Sequence, residues 1–202
     1  LIFASDDIKS QLPEEAKKFA KTDVNYKKIM EQVTKNPNVL YCCVKSEAGR
    51  LNELKNIFSE LEKCQKSLTS YLESKRMSFP RFYFISDEDL LQILGSSDPR
   101  SISPHLMKLF DNCKSLQFTK NDKVIAGMSS DESESYEFET PSKTEGAVEE
   151  WMTRVDVEMK KTLHVIAKKA VFYYAKEDRI EWIKGEKEKQ LGMIALLGTQ
   201  IW

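Results

Sequence analysis

Residues Gly49 to Arg76 constrain this chain more than any other stretch. Leu51, Leu54, Phe58, Leu61, Gln65, Leu68 and Leu72 recur at alternating steps of three and four, the a/d spacing of a helix seam. Ile57, Cys64 and Tyr71 add a flanking row, one residue every seven. Three rows form an apolar stripe wider than a two-stranded coiled coil requires. The spacing therefore predicts a long helix touching more than one neighbour. Gln65 is a polar residue at a seam position, either hydrogen-bonded across an interface or facing solvent.

Pro80 ends this helix, because the residue before a proline is pushed out of the helical region. The joint that follows, Phe79-Pro80-Arg81-Phe82-Tyr83-Phe84-Ile85, holds four aromatics in six residues. It is too apolar for a solvated loop and too short to pair as strands. It must be packed between elements and fix the angle between two helical segments. Loss of Phe82 or Phe84 would cost roughly 3–5 kcal/mol if the ring is buried. Ser86 and Asp89 resemble a capping box, Leu90, Leu91, Ile93 and Leu94 give a short helix its apolar side, and Gly95 is placed to end it. Ser103-Pro104 starts another helix carrying Leu106, Met107, Leu109, Phe110 and Cys113.

The hydrophobic period then changes to two. Leu116 and Phe118, then Val124, Ala126 and Met128, then Tyr136 and Phe138 alternate with polar residues, and Asn121-Asp122 signals a tight turn. These residues predict a small antiparallel meander over about 115–139. Its second turn is acidic (Asp131, Glu132, Glu134) and reads as a solvated turn, with cation binding or phosphorylation of Ser129 or Ser130 as the alternative. Before the seam helix, Ser5 to Lys35 reads as helix in two pieces. Pro13-Glu14-Glu15 forms a favourable first turn, and Phe19, Tyr26, Ile29, Met30 and Val33 follow at helical spacing. Val39 to Val44 is an apolar run open to strand, helix turn or buried connector. After the meander, Gly146 to Tyr174 reads as a second long helix with Val148, Trp151, Met152, Val155, Met159, Leu163, Ile166, Ala170 and Tyr173 on one stripe. Ile180, Trp182 and Ile183, the charged stretch 184–189 and the apolar segment 191–202 close the chain. The fold expected is mainly α: an elongated multi-helix bundle, helical over 1–114 and 144–202, with the meander between.

The chemistry is sparse. There is no GxxxxGK[ST] phosphate loop and no GxGxxG, and the two histidines, His105 and His164, stand in no nucleophile–base arrangement. His164 lies between Lys160 and Lys168 on one helical face, which predicts exposure. The four cysteines, Cys42, Cys43, Cys64 and Cys113, form no CxxC pair and read as small buried hydrophobes. No catalytic, cofactor-binding or metal-ligating residue is therefore assigned. Net charge is −1, which supplies no global field for nucleic acid or acidic membrane. The basic side of the last long helix (Lys160, Lys161, Lys168, Lys169, Lys176) is mixed with acids, and neither a nucleic-acid nor a membrane partner is expected. The chain starts at Leu1 and ends at Trp202 in an apolar run, and reads as a piece of a longer polypeptide.

The assembled blocks resemble the linker region of axonemal dynein heavy chains, the part preceding the AAA+ motor ring. Ile2 to Ile8 with Gln11 to Glu15 is similar to that family's opening helix, and Pro37-Asn38-Val39 to its next connector. Leu61 to Leu68 with Tyr71 to Arg76 resembles its long helix. The block Phe79 to Leu94, then Asp98-Pro99, Pro104-His105-Leu106 and Lys108-Leu109-Phe110, is the most specific. Thr199 to Trp202 resembles the close of the segment. The stretch 184–189 departs from an aromatic-proline passage usual there.

The resemblance implies a non-catalytic lever that bends and straightens over the ring and converts ATP-driven changes into movement along microtubules. It places the protein in the cytoplasm and cytoskeleton, in the axoneme of cilia or flagella. The ring of the same heavy chain would be its partner, with other dynein subunits and microtubules reached only through the parent chain. ATP and Mg would belong to that parent, with no cofactor in this segment. The alternative is a helical scaffold that docks a protein partner.

Overall fold

The computed structural model describes residues 6–45, 49–119, 121–132, 134–176 and 178–184. The expectations for Ile2 to Ser5 and for 185–202, including the apolar segment from Leu191 to Trp202, lie outside the described residues. The chain is mainly α with one small three-stranded antiparallel sheet, as expected. It divides into two compact units, Leu1–Ser74 and Lys75–Trp202.

In the first unit, α1 (Asp6–Gln11) and α2 (Pro13–Lys35) are the two expected pieces, with Pro13 at the start of the second. The 39–44 run resolves as a π-helical turn, Tyr41–Lys45, with Val39, Leu40, Tyr41 and Val44 exposed. The third helix, α3 (Arg50–Ser78), starts in this unit and runs across the division into the second. Three side-chain contacts set α2 and α3 antiparallel. Arg50 donates to Gln32 Oε1, the Cys64 thiol reaches Glu15 O at 3.7 Å, and Ser67 Oγ donates to Glu15 Oε1 at 3.3 Å.

Those contacts overturn the expected seam. Over the part of α3 in this unit, the buried positions are Arg50, Ile57, Cys64 and Leu72. Two of the flanking row, Ile57 and Cys64, are thus buried together with the last seam residue, Leu72, whereas Leu51 and Phe58 are each 65% exposed and Leu54 and Leu61 are also exposed. The physical reason is rotational. A helix buries whichever rows its neighbour reaches, and a wide stripe leaves that choice open. Gln65 is exposed, the solvent reading of the two. On α2 only Ile29 of the expected stripe is buried, with Tyr26 and Met30 exposed.

In the second unit α3 ends at Ser78, before Pro80. A 3₁₀ turn (Pro80–Phe84), α4 (Asp87–Leu94), a second 3₁₀ segment (Pro99–His105) and α5 (Leu106–Leu109) follow. Ser86 Oγ accepts from Asp89 N as the capping pattern predicts, and Gly95 follows the last residue of α4. The helix expected to reach Cys113 is only one turn long, because Cys113 already opens the sheet.

The sheet has order β1 (Cys113–Phe118), β2 (Val124–Ser130), β3 (Ser135–Lys143). Asp122 makes its first turn at φ 55°. Strict alternation fails on β2: Ile125, Gly127, Met128 and Ser130 are buried, while Val124 and Ala126 are half-buried. The register explains this. Phe118 pairs with Ile125 but Gln117 with Gly127, so Ala126 is an extra residue on β2, and a bulge reverses which side chains of its own strand face inward. Gly127 is required beside it, since a Cβ there would lie 2.2 Å from Tyr136 O.

Finally α6 (Val148–Tyr174) packs on the sheet, with Trp151, Met152, Val155, Met159, Leu163, Ile166 and Ala170 buried as the stripe predicts. Its residues Arg154, Glu158 and Thr162, four apart, seal the edge of β3. Arg154 donates to Lys143 O and Glu145 O, Glu158 Oε1 accepts from Thr140 N at 2.8 Å, and Thr162 Oγ1 accepts from Glu139 N at 3.0 Å. An open strand edge invites unwanted pairing; here a helix satisfies it. The chain closes its described part with α7 (Arg179–Lys184), whose Trp182 indole donates to Ala170 O at 2.9 Å.

Candidate functional site

The aromatic joint is the most tightly built place in the second unit. Phe79 and Phe82 are buried and meet edge to face with centroids 5.0 Å apart, a favoured aromatic geometry. Ile85 is buried beside them in sequence, while Tyr83 and Phe84 are exposed. The 3₁₀ turn accounts for the split: three residues per turn put 79, 82 and 85 on one side. The burial on which the expected cost depends is therefore met by Phe82 and not by Phe84.

Two arginines pin the joint. Arg76, in the last turns of α3, donates from Nε to Phe82 O at 3.3 Å and from Nη2 to Ile85 O at 3.2 Å. Its Nη2 also lies 2.7 Å from Asp87 Oδ1 at the start of α4. One planar fork therefore ties the end of one helix to the turn and to the next helix. Arg81 sits within the turn. Its Nε donates to Asp156 Oδ1 on α6 at 3.0 Å, its Nη1 donates to Leu109 O at 3.0 Å, and its guanidinium lies 4.5 Å over the Phe110 ring. Lys75 adds an ion pair with Glu149, both largely buried. Five elements are thereby held to one corner. Sequence reasoning found the aromatics and missed the arginines; the signal available was a charged residue inside an apolar run, which must find partners when it is packed.

Between the end of β3 and α6 lies an open groove of about 560 Å³, lined among others by Pro141, Lys143, Arg154, Val157 and Glu158. Its Arg154 and Glu158 are already spent on the backbone of β3. His164 is exposed and His105 buried, with Nδ1 3.7 Å from Asp89 Oδ1. The hydrogen bond from Lys108 holds the Asp89 carboxyl below its usual range. Ser130 is buried and accepts from Glu134 N, while Asp131 and Glu132 pair with Lys114 and Asn112. Among the described residues no cluster of three or more His, Cys, Asp or Glu could hold a metal, and no helix is long and apolar enough to cross a membrane.

Comparison with known proteins supplies what geometry does not. The sequence model of the family described as "Dynein heavy chain, N-terminal region 2" matches residues 1–170. The chain belongs to the dynein heavy chain family. It is 51% identical over 202 residues to the "Dynein-1-alpha heavy chain, flagellar inner arm I1 complex" of Chlamydomonas reinhardtii. It is 46% identical over 205 residues to human "Dynein axonemal heavy chain 10", and 36% identical over 208 residues to the ciliary dynein beta chain of Heliocidaris crassispina. In each case all of this chain is covered, and it spans about 4% of the relative's length.

The cysteines of this dynein segment do not all behave as the buried hydrophobes expected. Cys64 and Cys113 are buried, Cys42 is half-buried and Cys43 is exposed, and none of the four is in a disulfide. Burial pushes the Cys113 thiol up to about 12 and also raises that of Cys64. Since the thiolate is the nucleophile, a maleimide at neutral pH should label Cys43 in the native protein well before Cys64 or Cys113. Mass spectrometry of digests after short pulses measures this. Equal labelling of Cys113 and Cys43 before denaturation would contradict the packing.

Proposed function

We propose that this segment is a non-catalytic mechanical element of a dynein motor, a part of the linker that acts as a lever. The observation that carries it is the corner pinned by Arg76 and Arg81 around Phe79 and Phe82. Densely packed interiors compress little, so a joint built this way transmits force between the helices it ties. Family membership supports the motor assignment and the names of the relatives support an axonemal one.

On this reading residues 1–202 lie in the linker preceding the AAA+ ring. ATP and Mg bind elsewhere in the parent chain, the ring of the same heavy chain is the immediate partner, and microtubules are reached only through the parent in the axoneme of a cilium or flagellum. A second reading, a helical scaffold docking a protein partner, is favoured by the open row on α3.

The test is Arg76→Met in the full-length heavy chain. Hydrogen exchange should first show the backbone of 79–87 loosened with the rest of the segment protected. The lever reading then expects ATP turnover to persist while microtubule gliding slows. Unchanged gliding despite a loosened joint would sink it, as would turnover and gliding lost in the same proportion.

A further inference from the structure

The first unit leaves a ready-made helix seam uncovered. Leu51, Leu54, Phe58 and Leu61 hold the a and d positions of α3 and are all exposed, Leu51 and Phe58 at 65% each. The g positions, Ile57 and Cys64, are the ones buried on the α2 side. The open row spans about 15 Å along the helix axis, and a contiguous apolar row of this kind marks an interaction site. Its 3–4 spacing selects the shape of the occupant, since such a row packs knobs into the holes of another helix. At the e flank stand Lys55 and Glu62, both exposed and neither with an ion-pair partner among the described residues. They ask for an acid and a base at matching positions. The chain spans about 4% of its relatives' length, so most of the polypeptide of such a relative lies outside the matched part.

We infer that this a/d row of α3 is the docking surface for an amphipathic helix from another part of the same heavy chain, outside residues 1–202. That helix carries apolar residues at 3–4 spacing, an acid facing Lys55 and a base facing Glu62. The inference rests on family membership and on the open row, and is independent of the lever reading.

The experiment places a photo-crosslinking amino acid, p-benzoylphenylalanine, at Phe58 in the full-length heavy chain, with a second version at Leu54. Crosslinked peptides are then identified by mass spectrometry. The expected product at both positions is one helical peptide of the same heavy chain with apolar residues at steps of three and four. Its yield should fall in the charge-swapped variant Lys55→Glu/Glu62→Lys. Mixing isotopically light and heavy heavy chains separates the sources, because an intramolecular product carries no mixed label. A mixed-label product assigns the row to a second copy and overturns the inference. So does a peptide from a different subunit, one from within residues 1–202, or no product at either position. Unchanged gliding in the loosened Arg76→Met protein, with the crosslink still formed, would count against the lever reading alone.

Discussion

Phe82→Ala should destabilise the second unit by about 3–5 kcal/mol, while Phe84→Ala should change it by less than about 0.5 kcal/mol. The two rings sit two residues apart, yet Phe82 is 0% exposed and Phe84 is 69% exposed. Removing the Phe82 ring empties a site shared with Phe79, whose edge-to-face contact is lost as well. The surroundings cannot collapse into that space easily, because the turn's carbonyls are held by Arg76. Residual cavity volume is what raises the cost of large-to-small changes.

Urea unfolding followed by tryptophan fluorescence reads this unit selectively, since Trp151, Trp182 and Trp202 all fall within 75–202. A loss below about 1 kcal/mol for Phe82→Ala would mean that the ring is not the core of the joint.

How much of this was legible in the sequence depends on which interaction fixed each feature. Local stereochemistry was legible. Pro80 stopped α3, Ser86 capped α4, and Asn121-Asp122 made the turn between β1 and β2. The stripe of α6 was also legible, because most of its large apolar residues fall on one face and a neighbouring layer, the sheet, takes that face, with Val157, Val171, Phe172 and Tyr174 left outside it.

The rotation of α3 was not legible. Its apolar stripe has three rows, and only the position of α2 decides that Ile57 and Cys64 are buried rather than Leu51 and Phe58. Nor was the inward face of β2, since the extra residue Ala126 shifts its register against β1 in a way no alternation pattern encodes. The split between Phe82 and Phe84 was hidden for a related reason. Periods of two and three assign those two rings differently, and a run of seven residues is too short to choose between them. The arginines were the least visible part of the candidate site. Their partners are mostly backbone carbonyls and a carboxylate far along the chain, and hydrogen bonds to carbonyls carry no signature in residue type.

Arg81→Met should cost the second unit about 2–4 kcal/mol, somewhat below the roughly 3–5 kcal/mol for breaking a fully buried ion pair. The substitution keeps much of the apolar stem and removes three things. Asp156 loses the donor at 3.0 Å, Leu109 O loses its side-chain donor, and the Phe110 ring loses the guanidinium above it. The loss falls short of that for a fully isolated charge, because Lys160 Nζ remains 2.8 Å from Asp156 Oδ2. Arg81→Lys keeps the charge but lacks the planar fork, so it can serve Asp156 or Leu109 O and not both; it should lose roughly half as much.

Asp156→Leu alone leaves the Arg81 guanidinium largely buried without its carboxylate, and Arg81→Met/Asp156→Leu should be more stable than the sum of the two single losses predicts. Equilibrium unfolding of the four proteins by tryptophan fluorescence yields the coupling directly. A coupling above about 1 kcal/mol places Arg81 and Asp156 in one interaction across the corner. A value near zero would mean that the aromatic rings hold α6 to the joint without the arginine.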